Sequence, residues 1–104
     1  MNFRQYITEG PTSHIIETKN IIEYTKKNKQ GLCQIMIIDP RYKNAIEGSV
    51  EQSKKSGQWF VKLFQQGQSV IREEFITETE AFDVLSNFLK KTKNFRIEYG
   101  DLTT

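Results

Sequence analysis

Between Leu32 and Ile76 the chain offers four short runs of strand-forming residues, and the segments joining them are too short to hold a helix. The runs are "LCQIMIID", "AIEGSVEQ", "QWFVKLF" and "SVIREEFI"; the joints are "PRYKN", "SKKSG" and "QQGQ". A parallel neighbour needs a crossover of about a dozen residues or more, so joints this short make consecutive strands antiparallel. The middle of the chain is therefore read as a β-meander.

Each run carries its own burial signal. "LCQIMIID" is nearly continuously apolar and is stopped by Asp39-Pro40, which predicts a central strand covered on both faces. The next run sets Ile46, Gly48 and Val50 against Glu47, Ser49 and Glu51, an amphipathic strand with a bulge expected at Gly48. In the third, Trp59, Val61 and Leu63 share one face and Phe60, Lys62 and Phe64 the other. The fourth places Ile71 and Phe75 on one face, Val70 and Ile76 on the other. A two- or four-residue loop around Gly67 would pair Leu63 with Val70, and a three-residue loop would pair Leu63 with Ile71. The second pairing keeps apolar side chains together, the criterion that normally sets register.

Two helices flank the meander. Thr77-Glu78-Thr79-Glu80 has the form of a capping box, and Ala81, Val84, Leu85, Phe88 and Leu89 follow as a helical stripe with Phe82 beside it. Lys90, Lys91 and Lys93 suit the negative end of that helix. An earlier helix is expected from an N-cap at Thr18 to about Asn28, using Ile21, Ile22 and Tyr24 or Thr25, with Gly31 as its stop. Before it, residues 3–8 alternate as a short strand, and "HIIET" reads as a second one. After the second helix, "FRIEYG" turns Phe95, Ile97 and Tyr99 inward and Arg96 and Glu98 outward. The expected fold class is α+β: one domain spanning residues 1–104, an antiparallel meander sheet with two helices packed on one face.

Totals narrow the function. A chain of 104 residues fits one domain with one core. A net charge of +2 permits an anionic partner without demanding one. Cys33 is the only cysteine and His14 the only histidine, which argues against a disulfide, a cysteine metal cage or a Cys–His nucleophile; Cys33 is expected as a buried thiol and His14 as a structural or surface residue. Glycines are scattered singly, so no phosphate-cradling loop is present. Neither a secretory signal nor a membrane-length apolar run is seen, so the expected location is cytoplasmic, with no membrane partner. Glu73 and Glu74 are adjacent on a strand and point to opposite faces, so they do not converge for acid–base chemistry. Glu73 falls between Ile71 and Phe75 on one face, which is costly unless it lies at a rim or the register differs. The chain is read as a non-enzyme without a cofactor.

"SGQWFVKLF" raises a nucleic-acid question. The signature strand of RNA-recognition domains places a Gly three residues before a Phe and an aromatic three residues after it. Gly57 and Phe60 fit the first step, but Leu63 occupies the second aromatic position and Phe64 comes one residue late. That strand should also lead directly into a helix, whereas here "SVIREEFI" intervenes. What remains is an exposed strip of Phe60, Lys62 and Phe64, with Arg72 or Glu74 opposite, suited to a protein or to nucleic acid. The lysine clusters at 26–29, 54–55 and 90–93 are each explained by a helix end or a turn.

The strand "GQWFVKLF", the helix "TETEAFDVLSNFLKKT" and the closing strand "NFRIEYGD", after an N-terminal strand and helix, resemble small immunity proteins that accompany bacterial polymorphic or contact-dependent toxins. The resemblance spans most of the chain and rests on layout. It implies a single-domain cytoplasmic protein without catalysis that neutralises a cognate toxin domain by tight binding. Inhibitors of nuclease toxins are often acidic, and this chain is slightly basic, which favours occlusion of an acidic or neutral surface over nuclease mimicry. The alternative is a small nucleic-acid-binding or regulatory module working through the same sheet face. Partner-binding residues on either reading are Phe60, Lys62, Phe64, Arg72 and Glu74.

Overall fold

The computed structural model describes residues 2–7, 13–38, 45–92 and 96–101. Its elements in chain order are β1 (Asn2–Ile7), α1 (Ser13–Lys27), β2 (Leu32–Ile38), β3 (Ile46–Gln52), β4 (Trp59–Gln65), β5 (Gln68–Ile76), α2 (Glu78–Lys91) and β6 (Arg96–Asp101). They form one six-stranded sheet in the order β1-β6-β2-β3-β4-β5, antiparallel at every pairing. Strands β2 to β5 are the meander. β6 enters between β1 and β2 and runs antiparallel to both, so β1 and β2 run parallel to each other, with α1 as the crossover such a pair needs.

Both helices lie on one face, as the amphipathic patterns predict. Ile21 and Ile22 of α1 and Ala81, Leu85 and Leu89 of α2 share one buried cluster with Cys33, Ile35, Ile37, Val50, Trp59, Val61, Leu63, Ile97 and Tyr99. Register builds the rows beneath them: Cys33 opposes Val50, which opposes Val61, and Ile35 opposes Gly48, which opposes Leu63. Gly48 does not form a bulge; β3 keeps regular register through it. It is glycine because β4 passes close. A Cβ there would overlap the Lys62 carbonyl and sit 2.8 Å from Leu63 Cα. Phe95 and Lys93, assigned to a strand and a helix end from sequence, lie outside the described residues.

Residues 14–18 are helix, not strand, and Thr18 is not an N-cap. A strand would split Ile15 and Ile16 between two faces. As a helix the segment instead gives a continuous buried stripe of Glu17, Thr18, Ile21, Ile22 and Thr25, and packing overrides the β preference of the isoleucine pair. Ile15 and Ile16 remain exposed. Thr18 and Thr25 donate their hydroxyls to the carbonyls of His14 and Ile21, four residues back, at 2.7 and 2.9 Å. Among the described residues β2 is central but covered on one face only: Cys33, Ile35 and Ile37 are buried, while Leu32, Gln34, Met36 and Ile38 are half-buried with no helix over them.

The β4–β5 hairpin departs furthest from simple alternation. Its turn has two residues, Gln66 and Gly67, both at positive φ (53° and 78°), the signature of a type I′ turn. Gln65 pairs with Gln68 and Phe64 with Ser69; Val70 is then extra, so Leu63 pairs with Ile71. The apolar pairing is thus reached by a tight turn plus a bulge, not by a longer loop. A second irregularity separates the Val61–Glu73 pair from the Trp59–Ile76 pair, and Phe75 there has φ 60°. This extra residue reverses the alternation. Ile76 packs against the core, and Phe75, expected beside Ile71, is turned to solvent at 66% exposure. Glu73 reaches solvent on the edge strand, the rim position that avoids burying its charge.

Candidate interaction surface

The sheet face opposite the helices has no layer over it among the described residues, and the hairpin brings the five sequence-selected residues together on it. Lys62 pairs in register with Arg72, two like charges that would repel if left alone. Glu74 lies between them: its Oε1 is 3.3 Å from the Lys62 Nζ and 3.4 Å from the Arg72 Nε. The Lys62 ammonium first, and Arg72 after it, hold the Glu74 carboxyl below its ordinary range.

Beside this trio stands an aromatic pair. Phe60 and Phe75 meet edge to face, ring centroids 5.2 Å apart and planes at 69°. The second bulge creates this pair, because regular alternation would send Phe75 to the other face. A bulky side chain at positive φ is a strained state. Phe64, half-buried, stands beyond Lys62 along β4, between Glu47 of β3 and Ser69 of β5. All five expected residues therefore share one face, and Phe75 joins them. Regular alternation places Phe75 on the other face beside Ile71, so no signal in the sequence marked it.

The face extends over Leu32, Gln34, Met36 and Ile38 of β2, Glu47, Ser49 and Glu51 of β3, and Arg96 and Glu98 of β6. Its charges among the described residues are Glu47, Glu51, Glu74 and Glu98 against Lys62, Arg72 and Arg96. That local balance is the reverse of the chain's +2. A cleft of about 370 Å³ opens at the Phe75 end, between the β3–β4 turn and the start of α2.

Two titratable groups lie elsewhere. Cys33 is a free, buried thiol, and burial pushes its pKa up to about 12. Glu17 is 4% exposed, its Oε2 has no hydrogen-bond partner among the described residues, and burial raises its pKa to about 7. Sequence reading placed Glu17 in a strand and gave no hint of this. Among the described residues no group of three or more His, Cys, Asp or Glu side chains is placed to hold a metal ion, and no helix is long and apolar enough to cross a membrane. No protein-family model matches the chain, and no curated protein or solved structure matches it either.

Proposed function

We propose that the chain is a non-catalytic binding protein of the immunity type, acting in the cytoplasm, which neutralises a cognate toxin domain by docking it on the open sheet face. The observation that carries this reading is the Phe60–Phe75 pair: an aromatic cluster, one ring 66% exposed, held outward on a strained backbone beside a charged trio whose members already satisfy one another. Protein interfaces concentrate their binding energy in such aromatic anchors, with polar groups at the rim. The local charge balance supports a protein over nucleic acid on this face. Four carboxylates stand among three basic groups, and a phosphate backbone would be repelled by the former. It also supports a neutral to basic partner surface, in place of the acidic or neutral one that total charge suggests.

The reading is tested by co-expression with the product of the adjacent gene. The expected result is a stable one-to-one complex and rescue of growth when that product is toxic. If no stoichiometric protein partner accompanies the chain from its native host, the reading fails.

A further inference from the structure

Two lysine groups that are distant in sequence meet at one end of the molecule. Lys26, Lys27 and Lys29 close α1 and begin its following turn; Lys54 and Lys55 open the β3–β4 turn. The two turns are locked side by side. The Gln52 N–H donates to the Gly31 carbonyl at 2.7 Å, and the Lys54 ammonium donates to the Lys26 carbonyl at 3.2 Å. Gly31, at φ +67°, permits this approach, because a Cβ there would press on the Gln52 carbonyl and lie 3.3 Å from Lys54 Cε. All five lysines are exposed. Lys26 pairs with Glu78 at 3.3 Å, while Lys27, Lys29 and Lys55 make no ion pair with any described residue. The nearby acids are Glu23, one turn before Lys27 on α1, Glu51, three residues before Lys54, and Glu78 and Glu80; Glu80 is engaged by the Thr77 N–H at 2.9 Å.

The cleft opens between these lysines and the aromatic pair. Its lining includes Gln52, Gln58, Trp59, Phe75, Thr77 and Glu78. Lys55 precedes Ser56 on one wall, and the Lys26–Glu78 pair stands at the other. Lysines on flexible stems neutralise phosphates as mobile point charges, without the fixed fork that arginine would supply. An exposed aromatic beside such charge is the combination that single strands use: a base stacks while the backbone follows the positive groove. The Gln52 and Gln58 amides add donors and acceptors for a base edge. A duplex would keep its base faces stacked inside, and an acidic polypeptide would have no use for the aromatic wall.

We propose that this end of the molecule binds single-stranded nucleic acid, with one base against Phe75 in the cleft and the flanking phosphates on Lys54, Lys55 and Lys29. The site shares only Phe75 with the sheet-face surface, so lysine variants separate the two.

The test is fluorescence anisotropy of the full chain with labelled oligothymidine, a matching duplex and polyglutamate, across a salt series. Oligothymidine is expected to bind most tightly, with affinity falling as salt rises. Lys54→Gln/Lys55→Gln should weaken it several-fold and Lys29→Gln less, each lowering the salt slope by about 0.7 per lysine removed. Phe75→Asn, chosen because asparagine tolerates positive φ and keeps the fold, should cost the single strand roughly fivefold or more and leave the duplex unchanged. Lys90→Gln/Lys91→Gln, on the last turn of α2, should change nothing. The proposal is overturned by absence of binding at low salt, by polyglutamate or duplex binding as tightly as the single strand, or by an equal loss in the Lys90/Lys91 control.

Discussion

Glu17 occupies a position that disfavours a charged carboxylate: on the buried stripe of α1, one oxygen without a partner among the described residues. Its folded-state pKa of about 7 exceeds the ordinary 4.5, so the folded protein holds a proton that the unfolded chain has released. The stabilising contribution is fully present below about pH 4.5 and is lost as pH rises through 7. Denaturant melts across that window should show stability falling with rising pH. Glu17→Gln, which cannot ionise, should flatten the profile and raise stability at pH 8 by on the order of 2 kcal/mol. An unchanged profile in the variant would show that Glu17 is not the titrating group. Cys33 offers a second residue-scale check. Fully buried, with its thiol pushed up to about 12, it should resist thiol reagents in the native state and react only on unfolding. Fast native labelling at neutral pH would contradict that.

At the scale of elements, what the sequence reveals depends on how local the cause is. α2 was legible in full because its start is set within four residues. The Thr77 hydroxyl accepts from the Glu80 N–H at 3.1 Å, and the Glu80 carboxylate accepts from the Thr77 N–H at 2.9 Å. Thr77→Ala should cost about 1 kcal/mol in a chemical melt, and a neutral result would mean that the cap is idle. The first half of α1 was not legible, because Ile15-Ile16 locally favours a strand and only packing against the sheet and α2 decides otherwise. β5 was legible as a strand but not in its facing. Two single-residue bulges each reverse the alternation, and nothing local at Val70 or Phe75 announces them. The turn between β4 and β5 is a point for improvement. Gln66 sits at φ 53°, which asparagine adopts with less strain, so Gln66→Asn should stabilise the protein by roughly 0.5 kcal/mol. Destabilisation by that change would contradict the type I′ assignment.

For the whole molecule, the α+β class and the two helices on one face follow from amphipathic periodicity. The placement of β6 between β1 and β2 does not, since no local feature of "FRIEYG" selects its neighbours. That placement leaves β5 as an edge strand, next to β4 and far from the crossover. Such an edge invites pairing with other chains, and its two bulges and its Arg72, Glu73 and Glu74 charges discourage it. On the proposed reading, binding is thereby directed from the strand edge to the sheet face. The five residues selected from sequence alternation converge there, and the one missed, Phe75, depends on a bulge that alternation cannot reveal. Convergence of the lysines of α1 with those of the β3–β4 turn is likewise a product of tertiary packing. On the proposed reading, the open face holds a protein partner through its aromatic pair. The most direct test of that reading is a paired purification, from native cells, of the wild-type chain and the Phe60→Ala/Phe75→Asn variant, each checked for an intact melting transition. The wild type should retain a stoichiometric protein partner, and the variant should lose it, a change of about 2 kcal/mol or more at the anchor. A partner retained equally by both, or no partner with either, would contradict that reading.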